Sequence, residues 1–167
     1  MTTQVSETFL TYVGFDLVFT ELPDEITLAF MLSNCPNKCE GCHSPHLRKN
    51  IGQTLTTSVI DSTILTQENV LTAVCFMGGD NNPQLIDYFA EYVKKMYGLK
   101  VGWYSGKDEI PDSINLDNFD YIKIGSYNKN LGGLSSPTTN QKLFKVRNNK
   151  LINITKKLQS KHDGNKN

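Results

Sequence analysis

The sequence predicts an α/β fold built on a mainly parallel sheet. Three observations predict it. Short apolar runs of strand length recur at Ile26 to Leu32, Val70 to Met77, Leu99 to Tyr104 and Tyr121 to Ile124. Helix-like segments separate several of them. Gly, Pro and Asn punctuate the junctions. Strands alternating with helices form βαβ units, which give parallel pairing.

In chain order, residues 8–20 mix aromatic and β-branched types and read as one or two strands, closed by a turn at Pro23-Asp24. Ile26 to Leu32 is a buried strand. The polar stretch from Ser33 to Ile51 reads as a long loop, and a loop of that length in a compact domain is usually functional. Thr57 or Ser58 caps a helix running to about Leu65. The strand Val70 to Met77 stops at Gly78-Gly79. Asn82 is the N-cap and Pro83 the first residue of a second helix, with Leu85, Ile86, Phe89, Val93 and Met96 on one face and Gly98 at its end. The third and fourth parallel strands follow, with a weakly helical or irregular segment near Asp108 to Asp117 between them. Gly132-Gly133 and Ser135-Ser136-Pro137 mark a loop. Leu143 to Val146 and Leu151 to Ile154 form a late hairpin around Asn148-Asn149.

The chain has 167 residues, 38% hydrophobic, with 17 basic and 17 acidic side chains. That is enough apolar material for one core, and the balanced charge points away from nucleic acid and membrane surfaces. The length suits one domain over residues 1–155 with a basic, flexible tail over 156–167. From Gln141 onward there are eight basic side chains against the single acid Asp163, which reads either as a solvated tail or as a docking surface for an acidic partner. No run of about 18 apolar residues suggests a membrane span, and no basic-then-apolar leader opens the sequence. The expected location is the cytoplasm.

Three of the four cysteines fall within eight positions, as Cys35-Pro-Asn-Lys-Cys39-Glu-Gly-Cys42. Clustered cysteines of this kind point to metal or redox chemistry in a reducing compartment rather than to a disulfide framework. Iron–sulfur clusters normally take four thiolates, so three leave one iron without a protein ligand, an open position of the kind at which metal sites do chemistry. Gly41 lets the backbone bend close to such a cluster. Lys38 either eases the negative charge there or is a solvated lysine. The competing reading is a structural Cys₃His zinc site completed by His43 or His46. Cys75, inside an apolar strand, reads as a small buried hydrophobe.

In a parallel sheet ligands gather at the carboxyl ends of the strands. The cysteine loop, Gly78-Gly79-Asp80, Ser105-Gly106 and Gly125-Ser126 each follow one of the four predicted strands, so they are expected to converge on one edge.

The Cys-x₃-Cys-x₂-Cys spacing resembles the cluster motif of the radical S-adenosylmethionine superfamily, and Phe76-Met-Gly-Gly-Asp80 resembles that family's Gly-Gly-Glu turn. More narrowly, from about Tyr12 to Thr155 the chain resembles the activating proteins of anaerobic (class III) ribonucleotide reductases. Asn34 through Cys42 and His43 to Pro45, Phe76 to Asp80, Trp103 to Gly106 and Leu131 to Gln141 carry the similarity. The resemblance implies a partial, open (β/α) barrel and a [4Fe–4S] cluster on Cys35, Cys39 and Cys42. It implies S-adenosylmethionine as second cofactor, its amino group held by Gly78, Gly79 and Asp80. The implied reaction is reductive cleavage to a 5′-deoxyadenosyl radical, which takes hydrogen from a glycine of the reductase's glycyl-radical subunit. A small reducing protein such as flavodoxin would supply the electron. Two departures stand out: Gly41 replaces the aromatic residue common before the third cysteine, so His43 is the expected adenine contact, and Asp80 is one methylene shorter than Glu. Ser105 either bonds the cofactor or caps a strand end. Lys123 either contacts ligand or is solvated. Thr138 to Gln141 line the partner surface or form a turn, and Trp103 is assigned to the core.

Overall fold

The computed structural model describes residues 9–159. One eight-stranded sheet runs through the molecule: β1 (Thr11–Val18), β2 (Thr27–Leu32), β3 (Gln53–Thr54), β4 (Ala73–Met77), β5 (Lys100–Tyr104), β6 (Tyr121–Ile124), β7 (Lys142–Arg147) and β8 (Lys150–Asn153). Their spatial order is β3-β1-β2-β4-β5-β6-β7-β8, an open sheet. Helices α1 (Thr57–Gln67) and α2 (Pro83–Tyr97) are long enough to cover it, and α3 (Lys156–Gln159) is a single turn.

The four central strands are the four predicted ones, and they pair in parallel as β2, β4, β5 and β6. The expectation of a mainly parallel sheet is corrected at both flanks. β1 pairs antiparallel with β2 and β3, and β7 pairs antiparallel with β6 and β8. The reason lies in the connections for two of these pairs, β1–β2 and the expected late hairpin β7–β8. A parallel return needs a crossover of a dozen residues or more. The turn at Phe19–Ile26 and the two-residue Asn148-Asn149 link are too short for one, and both link residues have positive φ (49° and 58°), as a type I′ hairpin requires.

The two sheet faces differ. Leu28, Phe30, Leu32, Val74, Phe76, Val101, Trp103 and Ile122 form the main core with Ile60 and Ile64 of α1 and Ile86, Phe89, Ala90 and Val93 of α2. The opposite face carries Ala73, Cys75, Tyr121 and Leu143, covered by Leu22 and Ile154, with Leu134 and Leu158 packed alongside. Because β2 and β4 are covered on both faces, they read as unbroken apolar runs rather than as alternation.

Several boundaries shift. Thr56, not Thr57 or Ser58, caps α1, its hydroxyl accepting from Val59 N at 3.2 Å. β4 begins at Ala73, and Val70 lies exposed before it. α2 begins as expected: Asn82 Oδ1 accepts from Leu85 N at 3.1 Å, Pro83 follows, and Gly98 is the left-handed C-cap. Met96 was expected on its buried face but is exposed, because the contact stripe turns toward Tyr97, which packs on the core. Ile154 is buried just beyond β8. Of the expected flexible tail, residues 156–159 form the ordered turn α3, with Gln159 Nε2 donating to Ser136 O at 2.9 Å; residues 160–167 lie outside the described residues. Among the described residues no helix is long and apolar enough to cross a membrane.

Candidate iron–sulfur site

Four strand ends build the site. Parallel pairing places the carboxyl ends of β2, β4, β5 and β6 on one edge, and each is followed by one of the predicted loops. The segments after β2, β5 and β6 line a cleft of about 680 Å³ that includes Asn37, Cys39, Gly106, Tyr127 and Leu131.

The cysteine loop leaves β2 and doubles back on itself. Asn34 N donates to Lys49 O (3.0 Å), Cys35 N to Leu47 O (2.9 Å) and Cys42 N to Cys39 O (3.3 Å). A short 3₁₀ turn, Pro45–Arg48, shapes the return, and Arg48 Nη2 donates to Cys39 O at 2.6 Å. Gly41 has φ 73°, and a Cβ there would stand 2.9 Å from Lys129 Cβ, so the loop after β6 packs directly on the arc between Cys39 and Cys42. Across the same contact lie the Lys129–Glu40 ion pair at 2.8 Å and the His43–Tyr127 ring pair, centroids 4.7 Å apart. All three loop thiols are free and half-buried, whereas Cys75 is fully buried. Burial pushes the Cys75 thiol far above its ordinary range, which makes it inert.

The Gly-Gly-Asp turn is drawn inward. Asp80 is buried. Its Oδ1 accepts from Ser105 Oγ (2.6 Å), and its Oδ2 accepts from Asn37 Nδ2 (2.7 Å) and Gly106 N (2.8 Å). Gly78 O accepts from the indole of the fully buried Trp103 at 2.7 Å, so Trp103 is core, as expected, and also positions the turn. The next side chain, Asn81, keeps a buried Oδ1 without a hydrogen-bond partner. Ser105 Oγ also accepts from Lys107 N (3.0 Å), so Ser105 acts as a strand-end cap.

Lys123 is neither solvated nor turned out of the sheet. It is buried, with Nζ donating to Ser105 O (3.0 Å) and Gly125 O (2.9 Å). Burial pulls its pKa down to about 8, opposed by the negative charge of Asp80, Cys39, Asp108 and Cys35. The lysine charge thus lies close enough to the cysteine loop to feel Cys35 and Cys39. Thr138 to Gln141 form a turn: Thr138 Oγ1 donates to Leu131 O (2.8 Å), and Thr139 Oγ1 accepts from Gln141 N (3.0 Å). The structure thus brings Asp80, Ser105 and Lys123 into one network, while His43 sits apart on Tyr127. Sequence reasoning missed Asn37 and Tyr127. Their partners are 43 residues away in one case and across a loop in the other, and nothing local signals them.

Among the described residues no three His, Cys, Asp or Glu side chains surround a point that one ion could occupy. Tetrahedral zinc with bonds of about 2.3 Å needs its sulfurs within roughly 4 Å of one another, so the Cys₃His arrangement is not preformed. Iron–sulfur clusters take cysteine thiolates, and this loop carries three free thiols.

Three free thiols on one loop beside a polar cleft define a candidate metal centre. Residues 26–110, just over half of the chain, match the family of 4Fe-4S single cluster domains, and the chain belongs to that family. The match runs from β2 through the cysteine loop and the Gly-Gly-Asp turn to the loop beyond β5. No curated protein and no solved structure matches the chain.

Proposed function

We propose that the chain is a radical S-adenosylmethionine enzyme of the glycyl-radical activating kind, its open sheet serving as a partial (β/α) barrel. The carrying observation is the convergence: the cysteine loop forms one wall of a cleft whose other walls are the ends of β5 and β6, with the Gly-Gly-Asp turn bonded to both the loop and β5. In this reading Cys35, Cys39 and Cys42 hold the cluster. When bound, the cluster supplies the electron that cleaves S-adenosylmethionine to methionine and a 5′-deoxyadenosyl radical.

The chain's own residues bind and orient. The turn at Gly78 to Asp80 receives the cofactor's ammonium group: Asp80, already bonded to Asn37, Ser105 and Gly106, supplies negative charge, and the open acceptor on Asn81 beside it supplies the unpaired oxygen. Lys123 places a buried positive charge near the thiolates, and Ser105 serves through Asp80. The His43–Tyr127 pair, on the rim where Tyr127 lines the cleft, supplies an aromatic surface for adenine in place of the missing residue at Gly41. The hydrogen donor is a backbone glycine of the glycyl-radical subunit of an anaerobic ribonucleotide reductase, and the electron donor is a small cytoplasmic reducing protein such as flavodoxin.

The test mixes the anaerobically reconstituted, reduced chain with S-adenosylmethionine and the reductase subunit, and records electron spin resonance. A glycyl-type doublet together with methionine release is expected. Methionine without the doublet would move the assignment to another peptide or small-molecule substrate. Equimolar zinc without sulfide in the purified chain would end it.

A further inference from the structure

We propose that Asn37 is a positioning residue for the cluster: its side-chain amide fastens the arc between Cys35 and Cys39 to Asp80 at the end of β4. The proposal rests on those cysteines holding the cluster.

The cysteine loop has two kinds of tie. Its backbone bonds, Asn34 to Lys49 and Cys35 to Leu47, together with Arg48 to Cys39, join the loop to its own return segment around the Pro45–Arg48 turn, so they shape it without locating it on the sheet. The Glu40–Lys129 pair and the His43–Tyr127 rings reach the loop after β6, but they lie beyond Cys39, and both side chains of the ion pair are more than half exposed, where pairs hold little. Asn37 is different. It sits midway between two thiols and donates to a buried carboxylate at 2.7 Å, a charge-assisted bond. The other two donors to that carboxylate, Ser105 Oγ and Gly106 N, belong to the end of β5, so Asp80 joins the cysteine loop, the β4 turn and β5 at one point.

The seat is close-fitting. A Cβ on Gly106 would stand 2.5 Å from Asn37 Nδ2, so the amide lies directly on bare backbone. The chemistry also fixes its orientation: only the NH₂ end can face a carboxylate. With both Asp80 oxygens engaged from two elements, the position of Asn37 sets where two of the three thiols stand relative to the Gly-Gly-Asp turn. Partners that orient metal ligands from outside the coordination sphere typically contribute about 10–100-fold to metal retention.

The experiment uses the full chain reconstituted with iron and sulfide. Iron and sulfide per chain and the rate of iron loss to a chelator are compared for the unaltered chain, Asn37→Ala, Asn37→Asp, Asp80→Ala and the Asn37→Ala/Asp80→Ala double variant. Thermal melting of each iron-free chain runs alongside. Asn37→Asp keeps the shape, removes the donor and sets carboxylate against carboxylate. Both Asn37 variants are expected to lose iron on the order of 10–100-fold faster while their iron-free melting stays near that of the unaltered chain. The double variant is expected to lose iron no faster than Asp80→Ala alone, because the two residues act as one unit. Iron retention unchanged in both Asn37 variants, or single effects that multiply in the double variant, would overturn the proposal. So would loss of the iron-free fold in both Asn37 variants, which would mark a purely structural residue. If the unaltered chain takes up no iron and sulfide, the cluster assignment itself fails, a separate result.

Discussion

Cys75 and the loop cysteines carry the same thiol in opposite surroundings. Cys75 is wholly buried in β4, between Ala29 of β2 and Gly102 of β5, with its Sγ 3.6 Å from Met77 Sδ. Cys35, Cys39 and Cys42 are half-buried on a loop beside Lys38 and Arg48. Cys39→Ala is therefore expected to abolish cluster assembly. Cys75→Ala should leave iron and sulfide content intact and cost about 1 kcal/mol of stability, a small cavity in the core. Iron analysis and urea unfolding check the two. In the iron-free native chain an alkylating reagent should label the loop thiols and reach Cys75 only after denaturation. At this scale the sequence was legible where chemistry is local: three cysteines close along the chain stand together on one loop as half-buried, free thiols. Asn37 was not legible, because an asparagine in a polar loop has no visible partner until the chain has folded.

At the scale of elements, turn chemistry decided what periodicity could not. Asn148 and Asn149 both take left-handed backbone, which Asn tolerates and a β-branched residue does not. Asn149→Val is expected to destabilise the β7–β8 hairpin by about 1–2 kcal/mol, read as a lower melting temperature. The two helices are joined by a carboxylate: Asp61 of α1 accepts from Tyr92 OH (2.8 Å) and Tyr97 OH (2.5 Å) of α2. Burial, with the nearby Asp61, raises the Tyr97 pKa to about 12 from 10.0. A raised pKa means that the tie is complete below about pH 10 and is lost as pH rises through about 12. Asp61→Asn removes the negative charge and should move the Tyr97 transition back toward 10, measured by tyrosinate absorbance. Helix α2 was readable from its caps, and α1 was readable to within one residue of its cap, Thr56. The β7–β8 hairpin was readable from Asn148-Asn149, but the antiparallel pairing of β1 with β2 and of β6 with β7 was not, since a strand's apolar pattern is silent about the direction of its neighbour.

Across the whole molecule, chemistry and stability occupy opposite ends of the parallel strands. The cleft lies at the carboxyl ends. At the amino ends Glu25, buried just before β2, pairs with Lys100 at the start of β5 and accepts from Tyr121 OH at the start of β6 (3.1 Å). Burial works to raise the Glu25 pKa, but hydrogen bonds from Lys100, Thr72 and Tyr121 outweigh it and hold the carboxyl below 4.5. A depressed carboxyl stabilises the fold above its unfolded value, and that contribution is lost as pH falls through the lower folded value. Glu25→Gln should thus cost about 1–3 kcal/mol at neutral pH, with the difference from the unaltered iron-free chain closing below about pH 4.5. Urea unfolding at two pH values checks it.

The sequence by itself determined the four central strands, the caps of α2 and the cysteine spacing, because each is written in residues close along the chain: apolar runs, capping side chains, thiols three and four positions apart. Only the tertiary structure decided the open, mixed sheet, the burial of Lys123 and the bond from Asn37 to Asp80. Those depend on which distant segments share an edge, and that is settled by packing and by the length of each connection.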